Sequence, residues 1–169
     1  MKRILLLSIL MILGIAGFGQ KFAFVDSDYI LKKIPQYRAA QEQLDKLAIQ
    51  YQKEVEDKFS AVDEQVRSYQ TEKVLLTQDM RSKREQDLMD KQKEAQNLQR
   101  NYFGPDGVLF KKRTELIKPV QDQVYNAVKD LASEGGYAAI FDVANNPTVL
   151  FSNSKYDKSD EVLQKLGYR

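Results

Sequence analysis

The stretch Gln36–Arg100, QYRAAQEQLDKLAIQYQKEVEDKFSAVDEQVRSYQTEKVLLTQDMRSKREQDLMDKQKEAQNLQR, decides the fold. It has no Gly and no Pro across 65 residues and is built from Gln, Lys, Glu, Asp and Ala, so its helical propensity is high. Leu44, Ala48, Tyr51, Val55, Phe59, Val62, Val66 and Tyr69 recur in steps of three and four. That spacing gives a narrow seam of the coiled-coil type. Downstream the seam thins to Met80, Leu88, Ala95, Leu98 and Tyr102. A single helix of this length would extend ~100 Å with little apolar surface to hold it. A hairpin gives each half a partner, and the turn is placed at Val74-Leu75-Leu76-Thr77, where the charge pattern lapses.

Outward from this stretch the pattern changes. Phe103-Gly104-Pro105-Asp106-Gly107 is turn chemistry, after which Leu109, Leu116 or Ile117, Val120, Val124, Val128 and Leu131 resume a helical period. Pro119 is expected to kink that helix, and Gly135-Gly136 to end it. Before the long stretch, Phe22-Ala23-Phe24-Val25 reads as a strand, Asp26-Ser27-Asp28 as a cap, and Tyr29 to Ile34 as a short helix stopped at Pro35. After it, Tyr137–Val143 and Thr148–Phe151 read as two strands of a hairpin turned at Asn145-Asn146-Pro147. A last short helix covers Glu161–Leu166 and stops at Gly167.

The fold class is α+β: a small β-rich body, residues 20–35 and 115–169, with a long α-helical hairpin, residues 36–114, inserted between strand 1 and strand 2. The body core is meagre and has no cysteine to staple it. Oligomerisation through Phe22, Phe24, Ile140, Phe141, Val149 and Phe151 is therefore expected, with helical arms projecting from the hub and enclosing a space.

Residues 1–19 form a leader. Lys2-Arg3 precede an apolar run from Ile4 to Ala16, and Gly17-Phe18-Gly19 supplies small residues before Gln20. That is the layout of a cleaved signal peptide, too short to span a bilayer, and it directs the chain to the periplasm. The whole sequence has 26 Lys+Arg and 24 Asp+Glu; without Lys2 and Arg3 the two signs balance. A balanced chain is no bulk polyanion binder, so nucleic acid is not expected as a partner.

Chemistry is restricted. With no His and no Cys, thiol nucleophiles, zinc fingers and imidazole bases are excluded. The mature glycines fall in no phosphate-binding loop, so no nucleotide or other cofactor is expected. Asp26/Asp28 and Asp157/Asp160 read as helix caps rather than metal ligands, and Asp142 and Glu134 lack an acid–base partner. The chain does not read as an enzyme.

The stretch from Met80 to Arg113 carries nine cations, including Arg81, Arg84, Lys91 and Arg100, against five carboxylates. With Tyr102 and Phe103 at the helix break, these are the candidate arm residues for facing a chain, or client, held weakly at many points in the enclosed space. The alternative for the cations is a solvated helix face with pairs four residues apart.

The leader, the Phe22–Asp26 strand, the Gln/Lys/Glu-rich arm, Gly136-Tyr137 to Asp142, Asn153-Ser154 and Asp160–Gly167 together resemble the Skp/OmpH family of periplasmic chaperones. The resemblance implies a homotrimer with a β-rich body and three helical tentacles. It implies an ATP-independent holdase for unfolded outer-membrane β-barrel precursors. The neutral mature chain and the Gly104–Gly107 break depart from the enteric members. Two other readings stand beside it: a static coiled-coil spacer or adaptor of the envelope, and a protein that binds anionic lipid or lipopolysaccharide through residues 81–113.

Overall fold

The computed structural model describes residues 20–144, 146 and 148–168. Residues 1–19, expected to be a leader, and Asn145 and Pro147 of the expected turn lie outside these. In chain order the elements are β1 (Lys21–Val25), α1 (Ser27–Lys33), α2 (Pro35–Glu72), a 3-10 turn (Lys73–Leu75), α3 (Gln78–Phe103), α4 (Val108–Gly135), β2 (Tyr137–Asp142), a second 3-10 turn (Ser154–Tyr156) and α5 (Ser159–Lys165). Among the described residues no helix is long and apolar enough to cross a membrane. The chain divides into two compact units, one of residues 31–123 and one that joins the N-terminal strand region to residues 124–169.

The first of these units is a helical hairpin. Pro35 does stop α1, but it also opens α2: it occupies the first turn behind Ile34, where its missing N–H costs nothing. The antiparallel course of α2 and α3 is set by their cross-helix contacts. Tyr69 meets Glu85, Gln65 meets Lys91, and Glu54 meets Tyr102, one index rising as the other falls. The turn lies where the charge pattern lapses. Leu76 N–H bonds Lys73 O at 3.4 Å, and Thr77 caps α3 by accepting from Met80 N–H at 3.4 Å. Arg81 Nε donates to Leu76 O at 3.0 Å and ties the turn from the inside.

Along α2 every residue of the expected seam is buried or half-buried, with Leu44, Val55, Val62 and Tyr69 fully inside. On α3, Leu88 and Ala95 are buried, and Leu98 and Tyr102 half-buried, but Met80 is exposed. Met80 lies one position off the period that Leu88, Ala95 and Tyr102 keep, and Arg81 takes the inward place. Near the other end of the unit, Ala40, Leu44 and Ile117 form a buried cluster with Tyr37, Leu109 and Leu116 packed against it, so α4 covers the start of α2.

Between α3 and α4 the chain leaves the helix for four residues. A Cβ on Gly104 would lie 2.4 Å from Arg100 O, and one on Gly107 2.7 Å from Tyr102 O, so backbone blocks a side chain at both positions. α4 then runs unbroken through Pro119.

In the other unit β1 and β2 form a two-stranded parallel sheet, with Phe22 opposite Ala139, Phe24 opposite Phe141 and Val25 opposite Asp142. Parallel strands require a long crossover, and in chain order four helices lie between these two. Ala23 and Val25 are buried, as are Ile30, Val124, Ala127, Val162 and Leu163 of the same unit. Asp26 Oδ1 accepts from Tyr29 N–H at 2.9 Å and caps α1. The Asp142 carboxylate receives Ser27 Oγ–H at 2.6 Å and the N–H groups of Ser27 and Ala144, so it joins the end of β2 to the start of α1.

The expected hairpin of Tyr137–Val143 with Thr148–Phe151 is not formed. Residues 148–151 make no strand, and Leu150 and Phe151 are 95% and 81% exposed. The second edge of β1 is taken by the segment around Asp157 instead: Lys158 N–H bonds Phe24 O at 2.8 Å, and Ser159 Oγ accepts from Asp26 N–H at 2.8 Å. The physical reason is local polar chemistry. Asn153 and Asp157 satisfy the backbone N–H groups of Lys155 and Ser159, which fixes this segment beside β1. Val149 is half-buried, but Leu150 and Phe151 stay exposed among the described residues.

Two substitutions test this packing. Leu44→Ala should cost about 2–4 kcal/mol in urea unfolding of residues 20–169, because a buried leucine is truncated. Gly107→Ala should cost about 1–3 kcal/mol and shift the same transition, although it adds helix propensity. A neutral or stabilising result would mean that the break tolerates a side chain.

Candidate functional site

Two surfaces carry the residues singled out in the sequence, and each lies within one unit. On the helical unit the expected client-facing cations fall into two groups. Arg81, Arg84, Leu88, Lys91, Ala95, Leu98 and Tyr102 follow one another in steps of three and four, so three of the cations share the heptad face of the apolar residues, and all seven are buried or half-buried. Lys91 Nζ bonds Gln65 Oε1 at 2.7 Å and pairs with Asp87 at 3.0 Å. Arg84 pairs with the same carboxylate at 3.8 Å. Arg81 holds the turn carbonyl. Arg100 is bonded to Asn97 on the outside of α3.

Tyr102 is anchored to α2. Its ring stacks on Tyr51 with centroids 4.1 Å apart at 11°, and its hydroxyl donates to Glu54 Oε2 at 2.5 Å. Phe103 stands edge-on to Tyr102 at 6.5 Å and is exposed. Nearer the turn, Tyr69 donates to Glu85 in the same way. These two tyrosine–glutamate clasps have an electrostatic signature. The Tyr102 hydroxyl holds Glu54 below its ordinary pKa, and the bonded carboxylates push Tyr69 and Tyr102 above theirs. The sequence marked the tyrosines as seam residues; the acids that satisfy them sit on the opposite helix and have no linear signal.

On the β unit one sheet face is buried and the other is not. Phe22, Phe24 and Phe141 cluster on the open face, with ring centroids 6.2 Å (Phe22–Phe141) and 5.9 Å (Phe24–Phe141) apart. Phe22 and Phe141 are exposed, Phe24 is half-buried, and Ile140, on the other face, is half-buried. A cavity of about 620 Å³ adjoins this cluster, lined by Phe22, Phe24, Tyr137, Tyr156 and Lys155 among others. Val149 is half-buried and Phe151 exposed, outside any strand. Among the described residues no group of three or more acidic side chains is placed to hold a metal ion.

The profile of the family described as outer membrane protein (OmpH-like) matches residues 21–166. The chain belongs to the OmpH-like family. Among solved structures it is similar to an OmpH-like protein of Caulobacter crescentus considered to be an outer membrane chaperone. The two share 14% sequence identity at a TM-score of 0.67, over 88% of this chain and 84% of that one, a likeness of fold. No curated protein matches the chain in sequence.

The clasp at Glu54 makes a pH prediction. A carboxylate with a depressed folded pKa contributes stability above its unfolded value and loses it as pH falls through the folded one. The raised Tyr102 contributes below its unfolded value and loses it as pH rises through the folded one. Tyr102→Phe should therefore lower the melting temperature by about 2 °C at neutral pH. The deficit should shrink in acid as Glu54 is protonated. An equal deficit at all pH values would assign the loss to packing alone.

Proposed function

We propose that this OmpH-like protein is an ATP-independent holdase of the periplasm that keeps unfolded outer-membrane β-barrel proteins from aggregating. In this reading residues 1–19 are removed as a signal peptide and residues 20–35 and 115–169 form the oligomerisation body of a homotrimer. Residues 36–114 form the arm, a helical hairpin inserted between the strands. No catalytic step is involved.

The observation that carries the reading is the open aromatic face of the small sheet. Phe22 and Phe141 lie exposed on it, and Leu150 and Phe151 of the same unit are exposed as well, in a unit that has two strands among the described residues. Clustered exposed apolar side chains on so small a body favour a partner surface, and copies of the same chain supply one. Bringing copies together gathers several arms around one client. The arm surface suits such a client because it is long and mostly polar, with apolar residues scattered outside the seam at Ile49, Val74, Leu75, Met89 and Phe110. Many weak contacts of this kind hold a chain by multivalency and release it without nucleotide.

Sedimentation of the mature chain at micromolar concentration should give an assembly of three, and Phe151→Glu should shift it towards monomer while its helical circular dichroism is retained. A wild-type monomer would overturn the oligomeric reading. Diluting a urea-unfolded β-barrel outer-membrane protein into buffer with the mature chain should suppress light scattering without nucleotide. A static spacer would leave the scattering unchanged.

A further inference from the structure

We propose that the helix break at Gly104–Gly107 forms a side-chain receptor on the arm, which takes one large apolar side chain of an unfolded client together with a carboxylate beside it. The proposal deepens the holdase reading and rests on it for the identity of the occupant.

The site is a notch of about 290 Å³ where α3 ends and α4 begins, lined by Tyr102, Phe103, Pro105, Leu109, Phe110 and Arg113 among others. Its volume lies at the lower end of ligand cavities, the scale of a side chain rather than of a cofactor. Its inner wall is fixed. Tyr102 is pinned to α2 by the Tyr51 stack and the Glu54 bond, and Leu109 packs on the Ala40–Leu44–Ile117 cluster. Its outer wall is open: Phe103 and Phe110 are 39% and 54% exposed. Gly104 also lines the notch, and no side chain can be added there, because a Cβ would lie 2.4 Å from Arg100 O.

Charge complementarity selects the occupant. Arg113 lies three residues after Phe110 and four after Leu109, on the same helix face. It makes no hydrogen bond or ion pair among the described residues. The neighbouring Lys112 is already paired with Glu115 at 2.8 Å. An aromatic notch edged by an unengaged guanidinium fits an apolar side chain next to an acidic one on an extended chain, the guanidinium receiving the carboxylate. A free anion would gain nothing from the aromatic walls, and a flat lipid surface could not enter the notch.

The test uses the full mature protein and short fluorescein-labelled Gly/Ser peptides carrying Phe-Glu, Phe-Gln or Ser-Glu at the centre, read by fluorescence anisotropy. Phe-Glu should bind tightest. Phe110→Ser should weaken it about tenfold, and Arg113→Gln about threefold. Replacing Phe-Glu by Phe-Gln should cost about threefold on wild type and nothing on Arg113→Gln, because the same contact is removed twice. Lys111→Gln, outside the notch, should bind as wild type. Circular dichroism and sedimentation of each variant should match wild type, since the substituted side chains are exposed.

If Phe110→Ser and Arg113→Gln bind the Phe-Glu peptide as wild type does, the receptor is overturned, and the holdase reading still stands if the barrel protein is kept from aggregating. If the peptides discriminate as expected but aggregation is not suppressed, the receptor stands and the holdase reading falls. An equal effect of Lys111→Gln would reduce the site to diffuse positive charge and also overturn the receptor.

Discussion

The helical unit depends on one constraint: helices with so few apolar residues cannot remain folded without a partner along their length. α2 buries five side chains over 38 residues, and α3 buries two over 26. Neither has a hydrophobic stripe wide enough to sit on a globular core, and isolated helices draw little stability from propensity alone. Folding back at Lys73–Leu75 resolves this by making each helix the other's surface. The polar remainder of the interface is then obliged to pair, and it does so through Tyr69 with Glu85, Tyr102 with Glu54 and Lys91 with Gln65.

The small β unit meets a related difficulty in another way. One face of its sheet is closed by Ala23 and Val25, and the carboxylates of Asp26, Asp142 and Asp157 are used on backbone amides and hydroxyls around it. Chemistry of that kind orders loops without enlarging a core. Phe22, Phe141, Leu150 and Phe151 therefore remain at the surface, and in the proposed assembly they become the adhesive between copies. On this reading a deficit of apolar burial within one chain is what makes the protein multivalent, and multivalency is what lets weak arm contacts retain a client.

Much of the arm was legible in the sequence because its signal is periodic and local. The α2 seam from Leu44 to Tyr69 and the turn at Val74–Thr77 follow from spacing and from a lapse in charge. The glycines at 104, 107, 136 and 167 mark the break and two helix ends where the backbone requires them. What stayed hidden was not periodic in hydrophobicity. Arg81, Arg84 and Lys91 occupy seam positions on α3, yet by residue type they read as solvated. Thr148–Phe151 has the composition of a strand, but whether such a run pairs depends on what lies beside it. Here the segment Asp157–Ser159 holds the edge of β1. The notch at the break was half visible: Tyr102 and Phe103 flank the Gly-Pro-Asp-Gly run, but Arg113 joins them only once α4 has been wound.

A seam of hydrocarbon alone would let two such helices slide past each other by one heptad at little cost. The clasps forbid it. Moving α3 by seven residues would bring Tyr69 opposite Gln78 or Gln92 in place of Glu85, and the equivalent slip of α2 would offer Tyr102 only Leu47 or Ala61. Each hydroxyl finds an acid in a single alignment. The hairpin is in effect a ruler with two notched stops, and its reach is fixed by hydrogen-bond chemistry rather than by how much grease it carries.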